Sequence, residues 1–136
     1  MRTVACDGLL IENGKVLLVR RRHMPEKGKW AIPGGRIEDN ETVEECLKRE
    51  LREEIGVDVA PIRLFGVYSK PERDPRGIIS LVYLVQRISG ELKAGSDADE
   101  VRWFDLSTLP ENLAFDHEEI LTDFRLTLQK GPYRQG

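Results

Sequence analysis

Three glutamates, Glu50, Glu53 and Glu54, crowd a short charged stretch that also carries Arg49. On a helical wheel at about 100° per residue, with Val43 at zero, Leu47 falls near ~40°, Leu51 near ~80°, Ile55 near ~120° and Cys46 near ~300°. That arc is the buried face. Lys48, Arg52, Glu45 and Arg49 fall on the far side, as solvated residues should. Glu50, near ~340°, and Glu54, near ~20°, fall inside the apolar arc, and Glu53 lies at its edge. An ordinary surface helix would keep its acids with its lysines and arginines. Charged carboxylates rarely point into apolar surroundings without a partner. Glu50 and Glu54 are also like-charged i, i+4 neighbours, which costs about 0.2–0.5 kcal/mol even in water. A bound cation answers both objections. Oxygen ligands of this hardness suit Mg²⁺, with Mn²⁺ as an alternative. Arg49 and Glu53, four apart and of opposite charge, place the arginine to orient the acids.

These side chains need a helix and a scaffold to hold it. Thr42 opens the helix, with Glu45 completing a capping box, and Gly56 closes it, giving a helix over Thr42–Ile55. Before it, Val4–Ile11 is apolar and β-branched, interrupted by Asp7-Gly8. Asn13-Gly14 signals a hairpin into a second strand at Lys15–Val19. Arg20 to Lys29 is a basic loop. Trp30-Ala31-Ile32 is a short apolar stretch that Pro33-Gly34-Gly35 should end as a turn. After the helix, Val57–Tyr68 is strand-like around Pro61, and Ser69–Gly77 reads as an exposed loop. Ile78–Ile88 is a strand buried on both faces, Ser89–Glu100 a polar loop and Val101–Phe104 a short strand. Asp116 should cap a second helix, with Glu119 at its third position and Ile120, Leu121, Phe124 and Leu128 facing inward. The expected fold is α+β: a mixed β-sheet with two main helices in an α/β/α sandwich, as one domain over residues 1–136.

A chain of 136 residues can bury roughly two-thirds of its unfolded surface. With 24 acidic and 21 basic residues the net charge is −3, which argues against a nucleic-acid partner. A phosphorylated ligand stays admissible, because a bound cation inverts the local field. No apolar run reaches the ~20 residues of a membrane span, and no signal-peptide core follows Met1. Cys6 and Cys46 read as small buried hydrophobes in a reducing compartment, so the expected location is cytoplasmic. His23 and His117 are expected to have no special role.

The run from Gly35 through Glu41 to Arg49-Glu50-Leu51-Arg52-Glu53-Glu54-Ile55-Gly56-Val57 resembles the box of the Nudix hydrolases, G-x5-E-x7-R-E-U-x-E-E-x-G-U with U aliphatic, at every fixed position. The approach Gly28-Lys29-Trp30 and the later Val101-Arg102-Trp103-Phe104 are also similar to that family. Asn40 departs from the glycine common there, but Asn tolerates the same left-handed turn. The resemblance implies hydrolysis of a nucleoside diphosphate linked to a further group. It makes Glu50, Glu53 and Glu54 metal ligands, with the Gly34 carbonyl beside them. Arg49 would orient the glutamates and Glu41 would brace the preceding loop. The general base would be a box glutamate such as Glu53 or an acid of the later loop, Asp97, Asp99 or Glu100. Glu100 is favoured because it leads into the Val101 strand.

The substrate depends on other segments. Arg73 and Arg76, on a proline-stiffened loop, and Arg20 are candidates for gripping phosphates. An exposed loop whose arginines pair with Glu72 and Asp74 is the competing reading. The loop resembles that of Nudix ADP-ribose pyrophosphatases, which implies ADP-ribose hydrolysed to AMP and ribose 5-phosphate. A nucleoside triphosphate or a dinucleoside polyphosphate is the alternative, with Phe65, Tyr68, Tyr83 or Trp30 available to stack on a base. A non-catalytic nucleotide-sugar sensor is disfavoured, because the box carboxylates are all present. The family admits a homodimer, although no interface patch is legible.

Overall fold

Asn13 and Gly14 take positive φ angles of 51° and 75°, as the two central residues of a tight hairpin turn must. They join strand β1 (Val4–Glu12) to β2 (Lys15–Arg21), with Ile11 opposite Val16. In the computed structural model, which describes residues 1–130, these strands centre a mixed seven-stranded sheet. The expected single domain thus extends into residues 131–136, which lie outside the described residues. The main path runs β3 (Trp30–Ala31), β2, β1, β6 (Ile79–Gly90) and β5 (Val57–Tyr68). The strand β4 (Gly34–Arg36) also pairs with β1, and β7 (Ala98–Asp105) with β2. Only the β1–β6 pairing is parallel among the described strands.

The two helices cover opposite faces of the sheet. Helix α1 (Val43–Ile55) carries the expected capping box, with Thr42 accepting from the Glu45 N–H and Glu45 from the Thr42 N–H. Gly56 ends it in the left-handed region at φ 79°. Cys46, Leu47, Leu51 and Ile55 pack on Cys6, Leu10, Leu17 and Val85. Close approach depends on Gly8, where an added Cβ would come within 2.8 Å of Leu51. On the other face, α2 (His117–Lys130) sets Ile120, Leu121 and Phe124 on Leu9, Val16, Leu18 and Val82. Both cysteines are buried and free. No helix among the described residues is long and apolar enough to cross a membrane.

Several sequence expectations need correction. Gly34-Gly35 is not a turn but part of β4, because the missing Cβ lets Gly34 lie directly on Cys6 and Asp7. β7 begins at Ala98, since Arg21 and Arg20 of β2 supply pairing partners for Ala98 and Glu100. β6 is covered on both faces only over its first part, and Ile88 is exposed. Leu128 is also exposed, so the buried stripe of α2 ends at Phe124. Asp116 gives its carboxylate to Arg73, at 2.7 and 2.9 Å, where a cap was expected. Ser69–Gly77 is not simply exposed: Arg73 and Asp74 are buried. Such burial requires pairing, and Arg73 has Asp116 and the Ile78 carbonyl while Asp74 has Arg76.

Candidate active site

The box residues meet at Arg49. Its Nε lies 2.5 Å from Glu41 Oε2, its Nη1 3.0 Å from Glu50 and 3.1 Å from Glu53, and its Nη2 donates to the Arg36 carbonyl at 3.1 Å. One guanidinium therefore ties the helix to the loop before it. Glu41 in turn accepts from the Glu38 N–H, and the Arg49 hydrogen bond holds its carboxyl down at about 2.

A cavity of about 380 Å³ opens beside this hub. Glu50 and Glu54 of α1 line it with Gly34 and Gly35 of β4. Glu50 is raised by burial, against the pull of Arg49. Glu54 is raised well above the ordinary range, first by burial and then by the negative charges of Glu50, Asp7 and Asp97. It is crowded by protein on most sides, although water reaches it through the cavity. Asp7 is buried and pushed up to about 7 by that burial, with Ser80 donating to Oδ2 and Arg73 nearby as partial offsets.

Oxygen donors of this kind fit a hard divalent cation. The Glu54 carboxylate makes no hydrogen bond or ion pair among the described residues, and a partnerless carboxylate in a crowded wall suits a metal. Glu50, Glu54 and the Gly34 carbonyl would hold it from the cavity side. Glu53 is largely exposed, on Arg49, and does not line the cavity. Among the described residues no three acidic, histidine or cysteine groups are gathered tightly enough to hold an ion as they stand. Arg49 holds Glu50 and Glu53 at 3.0 and 3.1 Å, and Glu53 lies outside the cavity that Glu50 and Glu54 line.

The other sequence candidates divide. Glu100 does not reach the cavity. It pairs with Arg102, at 2.5 and 2.9 Å, and with Arg20 at 3.7 Å. Asp97 of the same segment does line the cavity. Arg20 also points away, over the Trp30 ring at 5.9 Å, while its neighbour Arg21 lines the cavity. Successive strand residues face opposite ways, and the β2–β7 register shifts between these two positions. Arg73 and Arg76 both line the cavity, but Arg73 spends its guanidinium on Asp116 and Ile78. Asp7, Arg21, Phe115 and His117 were not identified from sequence. Asp7 alone left a signal there, as a charge inside an apolar strand.

The loop carrying Asp97 is fastened to α1. The Lys93 N–H donates to the Ile55 carbonyl at 3.0 Å and the Gly95 N–H to the Glu54 carbonyl at 2.8 Å. These bonds satisfy carbonyls that a helix end leaves open.

The NUDIX domain family matches residues 1–124. The ADP-ribose pyrophosphatase of Methanocaldococcus jannaschii is 52% identical over 122 residues, 89% of this chain and 72% of that protein. A MutT NUDIX hydrolase from Burkholderia pseudomallei superposes with a TM-score of 0.84 at 28% identity, covering 90% of this chain and 98% of the other. A bifunctional NMN adenylyltransferase/ADP ribose pyrophosphatase from Francisella tularensis, complexed with AMP and a Mn ion, gives 0.78 at 32% identity over 96% of this chain, which spans 42% of that longer protein. The chain belongs to the Nudix family, with the α/β/α sandwich of that family and the box that carries its chemistry. It is a Nudix pyrophosphohydrolase similar to the ADP-ribose pyrophosphatases.

Proposed function

We propose that this chain hydrolyses ADP-ribose to AMP and ribose 5-phosphate with Mg²⁺, Mn²⁺ serving as a substitute. The observation that carries the reading is one cavity lined by Glu50 and Glu54 together with Arg21 and Arg76. A diphosphate with a divalent cation satisfies both at once. The choice of ADP-ribose rests on the Methanocaldococcus jannaschii relative, an ADP-ribose pyrophosphatase.

Glu50, Glu54 and the Gly34 carbonyl would hold the cation from the cavity side, with Arg49 orienting the glutamates; Glu53, outside the cavity on Arg49, would join them only by leaving that ion pair. When bound, such an ion polarises a phosphoryl oxygen and makes water a nucleophile near neutral pH. Asp97, which reaches the cavity, takes the general-base role that the sequence suggested for Glu100. Cytoplasmic location and a homodimer belong to the same proposal; fractionation and light scattering test them.

The decisive experiment is turnover with ADP-ribose, NADH, diadenosine polyphosphates and oxidised dGTP, with products separated by chromatography. AMP released from ADP-ribose, abolished by chelation and restored by Mg²⁺, is the expected result. Faster hydrolysis of a triphosphate would overturn the substrate assignment.

A further inference from the structure

Phe115 stands in the left-handed region at φ 51°, an outlier for a bulky side chain. Its N–H donates to Glu26 Oε1 at 3.1 Å, and Glu26 itself sits at φ 62° and pairs with Lys29. Two strained residues thus brace one another at the cavity rim. The ring they hold is half-buried, lines the cavity and carries two cations: Arg21 at 5.0 Å from its centroid and Arg76 at 5.5 Å.

The two arginines are held differently. Arg76 is clamped by the buried Asp74, at 2.9 and 3.1 Å. Arg21 anchors only its Nε, on the Pro25 carbonyl at 2.8 Å. Among the described residues it forms no ion pair, so both terminal nitrogens are free to donate. Burial first, and then the like charge of Arg76, lowers the Arg21 pKa against the pull of Glu54, Asp74 and Glu26. An anion set against both guanidinium groups would accept from the free Arg21 nitrogens and add to the charge that Asp74 already offers Arg76.

A third donor lies alongside. His117 is 3% exposed, and its Nδ1 accepts from the Ile32 N–H at 3.0 Å. The proton of the neutral ring must then sit on Nε2. Nε2 has no protein partner among the described residues, and it is not a sealed, unsatisfied atom. Since His117 lines the cavity, that N–H is presented there.

We propose that Arg21 and Arg76, seated on Phe115, form with the Nε2–H of His117 a phosphate subsite for the diphosphate, in the cavity that Glu50 and Glu54 also line. The inference rests on the diphosphate reading given above. It assigns substrate binding to Arg21 and His117 and gives the strained Phe115 the task of holding both guanidinium groups in place.

The test uses Arg21→Ala, Phe115→Leu and His117→Gln, with Arg125→Ala on the exposed face of α2 as a charge control. Two readouts are taken: steady-state kinetics with ADP-ribose and Mg²⁺, and calorimetric binding of inorganic pyrophosphate without metal. Arg21→Ala should raise KM at least about tenfold and change kcat far less, the mark of uniform binding. The same variant should weaken pyrophosphate binding by a similar factor, with smaller losses for the other two and none for Arg125→Ala. Absence of pyrophosphate binding to the wild-type protein overturns the subsite. So does an Arg21→Ala protein that folds, by circular dichroism, yet keeps wild-type KM and pyrophosphate affinity. Should the wild-type protein ignore ADP-ribose while Arg21→Ala still loses pyrophosphate affinity, the substrate reading fails and the subsite stands.

Discussion

The carboxylate of Glu50 occupies the space where a side chain at Gly35 would have to stand. Gly35 does not take a positive φ, so alanine is conformationally admissible and lacks only room. Gly35→Ala should displace Glu50 and leave the sheet folded. Misplacing a ligand in this way costs about 10–100-fold in metal affinity or activity. Mg²⁺ titration of the variant checks this, and unchanged affinity would remove Glu50 from the metal set.

Glu54 is the acid that the fold tolerates least. Its carboxyl is raised well above its unfolded value by burial and by three neighbouring acids, so at neutral pH its charge opposes folding. Glu54→Gln should therefore raise the metal-free Tm by roughly a few degrees. It should also abolish the Tm increase that Mg²⁺ produces and cut turnover at least about 100-fold. Thermal melts with and without Mg²⁺ decide the matter; a variant less stable than the wild type without metal would show that Glu54 is not under electrostatic stress.

His117 makes stability depend on pH. Burial, then the Arg73 charge, holds its imidazole down at about 4, against an ordinary 6.5. Between those values the unfolded chain binds a proton that the folded chain refuses, so stability falls as pH drops from 6.5 towards 4. From pH 7 to pH 5 the loss from this residue is about 2 kcal/mol. His117→Gln keeps an acceptor for Ile32 and does not titrate, so it should lose that much less in urea unfolding. Asp7, raised to about 7, works in the opposite direction but is common to both proteins. Equal losses would mean that the ring is not buried and neutral.

The two acids on either side of Asp99 should separate cleanly. Asp97→Asn should lower kcat by about 10²–10⁴, the usual contribution of a general base. Glu100→Gln should leave turnover near the wild-type rate, because its carboxylate serves Arg102 and Arg20. Single-turnover kinetics would show the reverse pattern if the base were Glu100.

The helix and its caps were legible because each signal was local: Thr42, Glu45 and Gly56 act on their own backbone. The misplaced carboxylates were legible for the same reason, since the wheel needs only the helix. The basic half of the site was not. Arg20 and Arg21 are adjacent and chemically identical, and what separates them is a register shift against β7. His117 was unreadable because its partner, Ile32, lies far away along the chain. Arg73 misled in another way: a charged residue beside prolines resembles a surface loop until Asp116 arrives to neutralise it.

The bonds from Lys93 and Gly95 to the end of α1 have a kinetic consequence. A loop whose amides complete a helix cannot swing without fraying that helix, so Asp97 and the glutamates form one rigid wall. The β2–β3 connection is tied to the same wall: His23 lies 3.4 Å from Asp97, and Arg22 bonds Asp99 and the Ser96 carbonyl. Shortening that connection should therefore loosen Asp97 as well as open the rim beside Met24, and change kcat together with product release.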